Sequence, residues 1–442
     1  MFKLTLDTPI PSVEETVSIL QRHVDMYGVP LDYDRMQEYT AYYTLRKNAY
    51  LQRIIRYTGS IKTYKDYTDE DFVEFLKKVN AVDLLGKTSK GRYSVSGESL
   101  DEAMASGTLS EEVMKLMNLY KEVKSAVMTI GPFKAIFDKY PVANWETFDN
   151  HRLIVAHPVA VPQNTGRVGY QAPAITNFKR VVQDIITAPK GWVKCEADSG
   201  QIDPRISQSW VIKDPQLIKC TNMYNDAYFG YVHYCNYLTD NQRATGDLNL
   251  APVEMTDEQK EKRKKFKTFG NAVMYGSTEN VLGDPDKANF IKYIGGHPAR
   301  IKLQQEAENA ILRGDTIFKT AFGTPIDIMA GPSALEDKKY SEREQFNRRV
   351  KRAINNPIQG TAADLFRYSV SKADKLLMRK APNSCIIAYV HDSGKFMIAE
   401  DEYDDVINDI KEIVSYQVED WIPIYGDYEE GVHKSDVQRF IV

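Results

Sequence analysis

A chain of 442 residues, 43% of them apolar, can bury a large core, and its length fits two to four domains or one multi-lobed enzyme rather than a peptide or a tail. With 57 lysines and arginines against 61 aspartates and glutamates the net charge is −4, so any nucleic-acid surface has to be built from local basic clusters. Four cysteines, at 195, 220, 235 and 385, lack C-x-x-C or zinc spacing, the N-terminus lacks an apolar signal segment, and no window reaches the eighteen apolar residues of a membrane span; buried thiols in a soluble, cytoplasmic protein are expected.

In chain order, Pro11 to about Tyr140 reads as mainly helical, with apolar residues at three- and four-residue spacing in Val13–Tyr27 and Ser110–Val127. Between these runs lies a glycine- and serine-rich basic loop, K-T-S-K-G-R-Y-S-V-S-G-E-S-L, where Ser99 and Glu102 have the spacing of a capping box and predict a helix start. Leu153–Ala160 and Trp192–Ala197 are short apolar or alternating runs bounded by turn residues, as strands are. Residues 211–345 return to helix, and T-D-E-Q at Thr256 is a second capping-box signature, opening a helix that runs to Gly276. After Asn355, Asn356 and Pro357 another helix is expected through Q-G-T-A-A-D-L-F-R-Y-S-V. The strands Ser384–Val390 and Lys395–Ala399 then follow, joined by H-D-S-G as a hairpin. The order helices, sheet, helices, sheet makes the second helical block an insertion into one sheet-based domain.

Asp198 closes the strand that begins at Trp192, and Asp392 sits at the hairpin turn. Two carboxylates from separate strands are what a two-metal phosphoryl-transfer site requires, and their hard oxygens suit Mg²⁺. Taken singly, each is more readily an ordinary turn aspartate. Arg263, Lys267, Asn271 and Tyr275 follow one another at a spacing of four, a slowly drifting stripe on one helix face that climbs about 6 Å per step. Such a stripe matches an extended triphosphate, Arg binding phosphate oxygens in a fork and Lys as a point charge. Basic residues on a helix are equally often a solvated face, as are the other clusters at Lys87–Arg92 and Arg348–Arg352.

Read together and in order, these strings resemble the polymerase region of family A DNA polymerases over nearly the whole chain. M-Y-G-V-P-L-D resembles the start of that region, and the K-T-S-K-G-R loop its thumb tip. T-G-R-V-G at 165–169 resembles the family's T-G-R-L-S, and D-S-G-Q-I-D-P-R its motif A, D-Y-S-Q-I-E-L-R. R-K-K-F-K-T-F-G-N-A-V-M-Y-G resembles motif B, A-I-N-N-P-I-Q-G-T-A-A-D the family's A-I-N-A-P-M-Q-G-T-A-A-D, and V-H-D-S its motif C, V-H-D-E.

The resemblance implies an α+β right-hand polymerase with an antiparallel-sheet palm and helical fingers and thumb. Its expected divisions are a lead-in over residues 1–40, thumb over 41–148, palm with motif A over 149–210, fingers with motif B over 211–345 and palm with motif C over 346–442. It implies two Mg²⁺ ions, with Mn²⁺ as a substitute, held by Asp198, Asp392 and the backbone carbonyl of Ser199. Arg263 and Lys267 would grip the dNTP triphosphate, Lys267 also as general acid. Tyr275 would guard the template base, with Gln201, Asp203 and Asn271 at the sugar and Tyr228 near the phosphates. Arg167, Asn355, Gln359 and His391 would contact the primer end of a primer–template DNA. The resemblance begins within the first thirty residues, so no exonuclease domain is expected in this chain, and a separate exonuclease or processivity factor is an expected partner.

Three positions depart from the family's pattern. Asn271 stands where an aromatic ring is usual, Asp203 replaces a glutamate, and Ser393 replaces the motif C glutamate, leaving two carboxylates where three are expected. A single-subunit RNA polymerase and a catalytically silent DNA-binding module remain as alternative readings. The retained Q-I-D and Q-G-T-A-A-D strings favour DNA synthesis over the first, and Asp198, Asp392, Arg263 and Lys267 argue against the second.

Overall fold

In W-V-K-C-E-A-D-S the odd positions are apolar or small and the even ones mostly polar, the period of a strand with one face in a core. The computed structural model forms that strand, Trp192–Ser199, with Cys195 and Ala197 fully buried and Lys194, Glu196 and Asp198 on the opposite face. The structure describes residues 1–87, 91–139, 147–148, 151–154, 157–160, 165–171, 174–245, 254–274, 285–331, 340–390 and 393–431. Two compact units emerge: Met1–Met26 with Pro158–Gly169 and Gly191–Val442, and Tyr27–His157 with Tyr170–Lys190.

The larger unit is organised on a four-stranded antiparallel sheet in the order Cys385–Val390, Ser393–Ala399, Trp192–Ser199, Gly426–Gly431. Phe366, Val370, Ala373 and Leu377 of the helix Glu342–Lys380, with Val406 and Ile410 of the helix Tyr403–Ile413, share one buried cluster with Cys195, Ala197, Ile386, Phe396 and Ile398. Removing such side chains from water contributes about 1.5–3 kcal/mol each, so the sheet is clamped on one face and its Glu196–Asp198 face is left for polar work. In the chain, the helical insertion expected from the sequence lies between Trp192–Ser199 and Cys385–Val390. Its helices Pro215–Tyr224, Ala227–Asn236, Asp257–Met274 and Pro285–Phe290 are joined by a core that includes Leu217, Phe229, Tyr231, Phe266 and Phe290.

The smaller unit packs the helices Tyr33–Thr58, Asp69–Lys78, Gly97–Ala105 and Glu111–Lys139, with Leu51, Ile54, Phe72, Leu76, Leu100, Met117 and Tyr120 in its core. It also holds a short antiparallel sheet of Val29–Asp32, His151–Ile154 and Thr147–Phe148. All four cysteines are buried thiols, as expected. No described helix is long and apolar enough to cross a membrane.

Local chemistry explains where the elements agree with the sequence and where they differ. Thr256 and Gln259 form the expected reciprocal cap: the Thr256 amide donates to Gln259 Oε1 (2.9 Å) and the Gln259 amide to Thr256 Oγ1 (3.3 Å). The start expected at Ser99 lies one turn earlier. Ser96 caps Gly97–Ala105 by accepting from the Ser99 amide, and the Ser99 hydroxyl instead accepts from the Gly86 amide (2.9 Å). Pro357, expected to precede a helix, lies inside the 39-residue helix Glu342–Lys380. A proline normally breaks a helix by removing a donor and crowding the preceding turn; here its neighbours on both sides are buried, and Thr361 Oγ1 donates back to the Pro357 carbonyl (2.8 Å). Phe2–Leu4 and Val29–Asp32, read from sequence as lead-in, are strands, the first pairing in parallel with Tyr416–Val418.

Candidate active site

Strand register sets the centre of the site. Ser393 is the Cα partner of Asp198, and Lys395 that of Glu196; on the other flank Asp427 is opposite Asp198 and Glu429 opposite Glu196. Directly opposed residues of antiparallel strands share a face, with Cβ atoms about 5 Å apart. Ser393, which follows Asp392 by one residue, therefore lies beside Asp198. Asp392 and His391 themselves lie outside the described residues, as does Tyr275, and the Asn271 side chain is likewise not described. Among the described residues no three His, Cys, Asp or Glu side chains form a metal cluster. The donors at this edge, the Asp198 and Asp427 carboxylates and the Ser199 carbonyl, are hard oxygens, a set that fits Mg²⁺ better than a soft-metal site.

Beneath this row sits a second one. Ser393 Oγ donates to Glu196 Oε1 (2.8 Å), and Lys395 Nζ stands 2.5 Å from Glu196 Oε2. Burial pushes the Glu196 carboxyl up, but the Lys395 ammonium and the Ser393 hydroxyl outweigh it and hold the group below the ordinary carboxylate range.

Past Asp198 the chain turns sharply. The Gly200 amide donates to the Tyr425 carbonyl (2.9 Å), and Gln201 takes a left-handed conformation, φ +57°, before the short helix Ile202–Ile206. That turn aims Gln201 at the helical insertion: its Nε2 donates to Asp226 Oδ2 (2.8 Å) and its Oε1 accepts from the Ala227 amide (2.6 Å). Asp226 is the N-cap of Ala227–Asn236, accepting from the Phe229 amide through Oδ1 (2.7 Å). Its Oδ2 also accepts from Arg263 Nε (2.8 Å). Arg263 Cζ lies 5.6 Å and Lys267 Nζ 5.9 Å from the centre of the Tyr228 ring, so both cations of the stripe face one aromatic side chain.

The structure thus brings together Gln201, Tyr228, Arg263 and Lys267, and adds Asp226, to which the sequence reading gave no role. An aspartate immediately before a helix is the signal that was available, but it announces a cap rather than a bridge.

Two of the primer-side candidates lie on the long helix. Asn355 is buried on it, and Gln359 follows one turn later, half-buried. Arg167 Nη2 stands 3.8 Å from Asp203 Oδ2, joining a primer-side candidate to a sugar-side one. The Thr165–Arg167 turn is held from below by Arg367, which donates through Nη1 to the Gly166 carbonyl (3.0 Å) and through Nε to the Pro11 carbonyl (2.9 Å). Arg367 also pairs with Asp364, and both side chains are almost fully buried. Thr320 and Thr324 hydroxyls donate to the Asp364 oxygens at 2.5 and 2.9 Å. Burial lowers the Arg367 pKa and raises that of Asp364, the signature of a pair taken out of water.

An antiparallel-sheet palm with helical fingers and thumb is the α+β architecture of a right-hand polymerase, and the chain shares it with a solved example. That structure is the polymerase domain of Pol1 from M. smegmatis in complex with DNA primer-template and dNTP; the match has a TM-score of 0.69 at 16% identity and covers 95% of this chain and 69% of that one. The sequence profile of DNA polymerase family A matches residues 52–433, and the chain belongs to that family. It is 23% identical over 429 residues to DNA polymerase I of Chloroflexus aurantiacus, covering 92% of this chain and 41% of that protein. With DNA polymerase I of Geobacillus stearothermophilus it shares 20% over 440 residues, 96% of this chain and 46% of that protein. With that of Caldicellulosiruptor bescii it shares 24% over 286 residues, 61% and 30%. The chain spans less than half the length of each of these relatives.

Proposed function

We propose that this chain is a template-directed DNA polymerase that extends a primer 3′-hydroxyl with dNTPs by two-metal phosphoryl transfer, releasing pyrophosphate. The observation that carries this reading is the register pairing Ser393 with Asp198, because it sets the residue that follows Asp392 in the sequence beside the end of the motif A strand. Asp198, Asp392 and the Ser199 carbonyl would hold two Mg²⁺ ions, with Mn²⁺ as a substitute. Ions at that edge would lower the pKa of the primer hydroxyl and neutralise charge on the leaving pyrophosphate.

Arg263 grips the triphosphate with the ends of its guanidinium fork, its Nε being already committed to Asp226. Lys267, one turn further along, donates a proton to the leaving pyrophosphate. Tyr228 supports both cations, Gln201 and Asp203 border the sugar, and Asn271 and Tyr275 continue the stripe towards the templating base. Arg167, Asn355 and Gln359 read minor-groove acceptors at the primer terminus that are similarly placed in every correct pair, and His391 helps to position the primer end. In this assignment the thumb is residues 41–148, the fingers 211–345, and the palm 149–210 with 346–442. Closing of the fingers helix onto the phosphates couples correct pairing to chemistry.

Primer extension on a templated duplex with Mg²⁺, run in parallel with dNTPs and NTPs, tests the proposal. Extension with dNTPs is expected; extension with NTPs alone would favour an RNA polymerase, and none with either a silent binding module.

A further inference from the structure

The Glu196–Ser393–Lys395 network has no part in the roles assigned so far. Lys395 is 1% exposed and Glu196 27%, and the buried ammonium has its counter-charge in Glu196 Oε2. The bond from Ser393 Oγ to Glu196 Oε1 is not needed for that. A serine hydroxyl has one proton and two acceptor lone pairs. With its proton given to Glu196, the Ser393 oxygen can only accept from any further partner, and its register places it beside Asp198. Acceptor-only is also the character of an ionised carboxylate.

Resting on the polymerase reading, we propose that Ser393 and Glu196 together stand in for the acid missing at position 393, the serine oxygen accepting a hydrogen bond from a water of the Mg²⁺ shell at Asp198. Both are positioning residues rather than metal ligands. Glu196 fixes the direction of the hydroxyl proton from two residues before Asp198 on the same strand face, and Lys395 fixes Glu196. Because Lys395 also cancels the charge of Glu196, the acceptor is supplied without adding net negative charge to the carboxylates already at the centre, Asp427 opposite Asp198 among them.

The test uses the full chain on a primer ended with a dideoxynucleotide, so that no turnover occurs, and measures the Mg²⁺ concentration that half-saturates dNTP binding. Extension rate against Mg²⁺ on an ordinary primer is the second readout. Ser393→Ala is expected to raise half-saturating Mg²⁺ about three- to tenfold in both, the weight of one net hydrogen bond, and Ser393→Thr to return it towards wild type. In a Glu196→Leu/Lys395→Met background, which replaces the buried pair by apolar groups, Ser393→Ala should have no more than about a twofold further effect. Unchanged half-saturation in Ser393→Ala, or fully additive effects in the triple variant, overturns the proposal. Should the double variant fail to fold, the Ala and Thr variants of Ser393 decide it alone. A wild-type chain that extends no primer at any Mg²⁺ concentration overturns the underlying polymerase reading instead.

Discussion

Arg263 Nε donates to Asp226 Oδ2 across 2.8 Å, and the same carboxylate caps the next helix and accepts from Gln201. One buried side chain thereby links the turn after Asp198 to the basic stripe. Asp226→Asn keeps a competent cap, since Asn and Asp are equally good there, but removes the charge that orients Arg263. The KM for dNTP is expected to rise roughly tenfold, the weight of a hydrogen bond to a charged group, with kcat changed less. Steady-state kinetics checks this, and an unchanged KM would reject the link.

Asp203, proposed to border the sugar, stands 3.8 Å from Arg167 and is one methylene shorter than the glutamate usual in the family. Asp203→Ala should raise ribonucleotide relative to deoxyribonucleotide incorporation by about tenfold or more, the range in which pocket shape discriminates one added group. Competition between the two sugars in single-nucleotide extension measures it; an unaltered ratio rejects a role for Asp203 in excluding the 2′-hydroxyl. By the same assay with dideoxynucleotides, Asn271→Phe is expected to change the discrimination ratio.

Arg167, a proposed primer contact, follows a turn that Arg367 holds. Gly166 has φ +66°, and a Cβ there would stand 2.7 Å from Arg367 Nη1, so both conformation and space require glycine. Gly166→Ala should lose about 1–3 kcal/mol of stability. Arg367→Met leaves Asp364 buried without its cation and should lose about 3–5 kcal/mol. Urea unfolding followed by circular dichroism checks both, and losses well under these values would remove Arg367 as the brace of that turn.

Much of this was legible in the sequence because it rests on local pattern. Alternation marks Trp192–Ser199, the Thr256 cap marks the stripe helix, and spacing by four gathers Arg263 and Lys267. What was not legible depends on partners distant in the chain. Asp226 reads as a cap until the fold brings Arg263 and Gln201 to it. Glu196 and Lys395 lie far apart in the chain, and only the register pairs them. Ser99 has the spacing of a cap, but Gly86 competes for its hydroxyl. Pro357 signals a helix boundary that burial on both sides overrides.

Acid stability offers a check on the helical insertion. Burial pushes the Asp214 carboxyl up, but hydrogen bonds from His297, the Leu217 and Gln216 amides and Tyr234 outweigh it, so its folded pKa lies below the ordinary 3.8. A carboxylate depressed on folding contributes stability that is complete above its unfolded pKa and lost as pH falls through the folded value. Unfolding free energy should therefore fall with pH below about 4, and Asp214→Asn should flatten part of that slope. Denaturation measured from pH 7 to pH 2 gives both slopes; parallel curves would contradict the assignment.

The central claim is that Asp198 holds the metals of a DNA polymerase. Its most direct test is the Mg²⁺-dependent rate of dNTP incorporation by the wild-type chain and by Asp198→Asn on one primer–template. Wild type should extend the primer, and the variant should lose about 4 kcal/mol of transition-state stabilisation, roughly a thousandfold in rate, while still binding the duplex. Incorporation by Asp198→Asn at the wild-type rate would contradict the account.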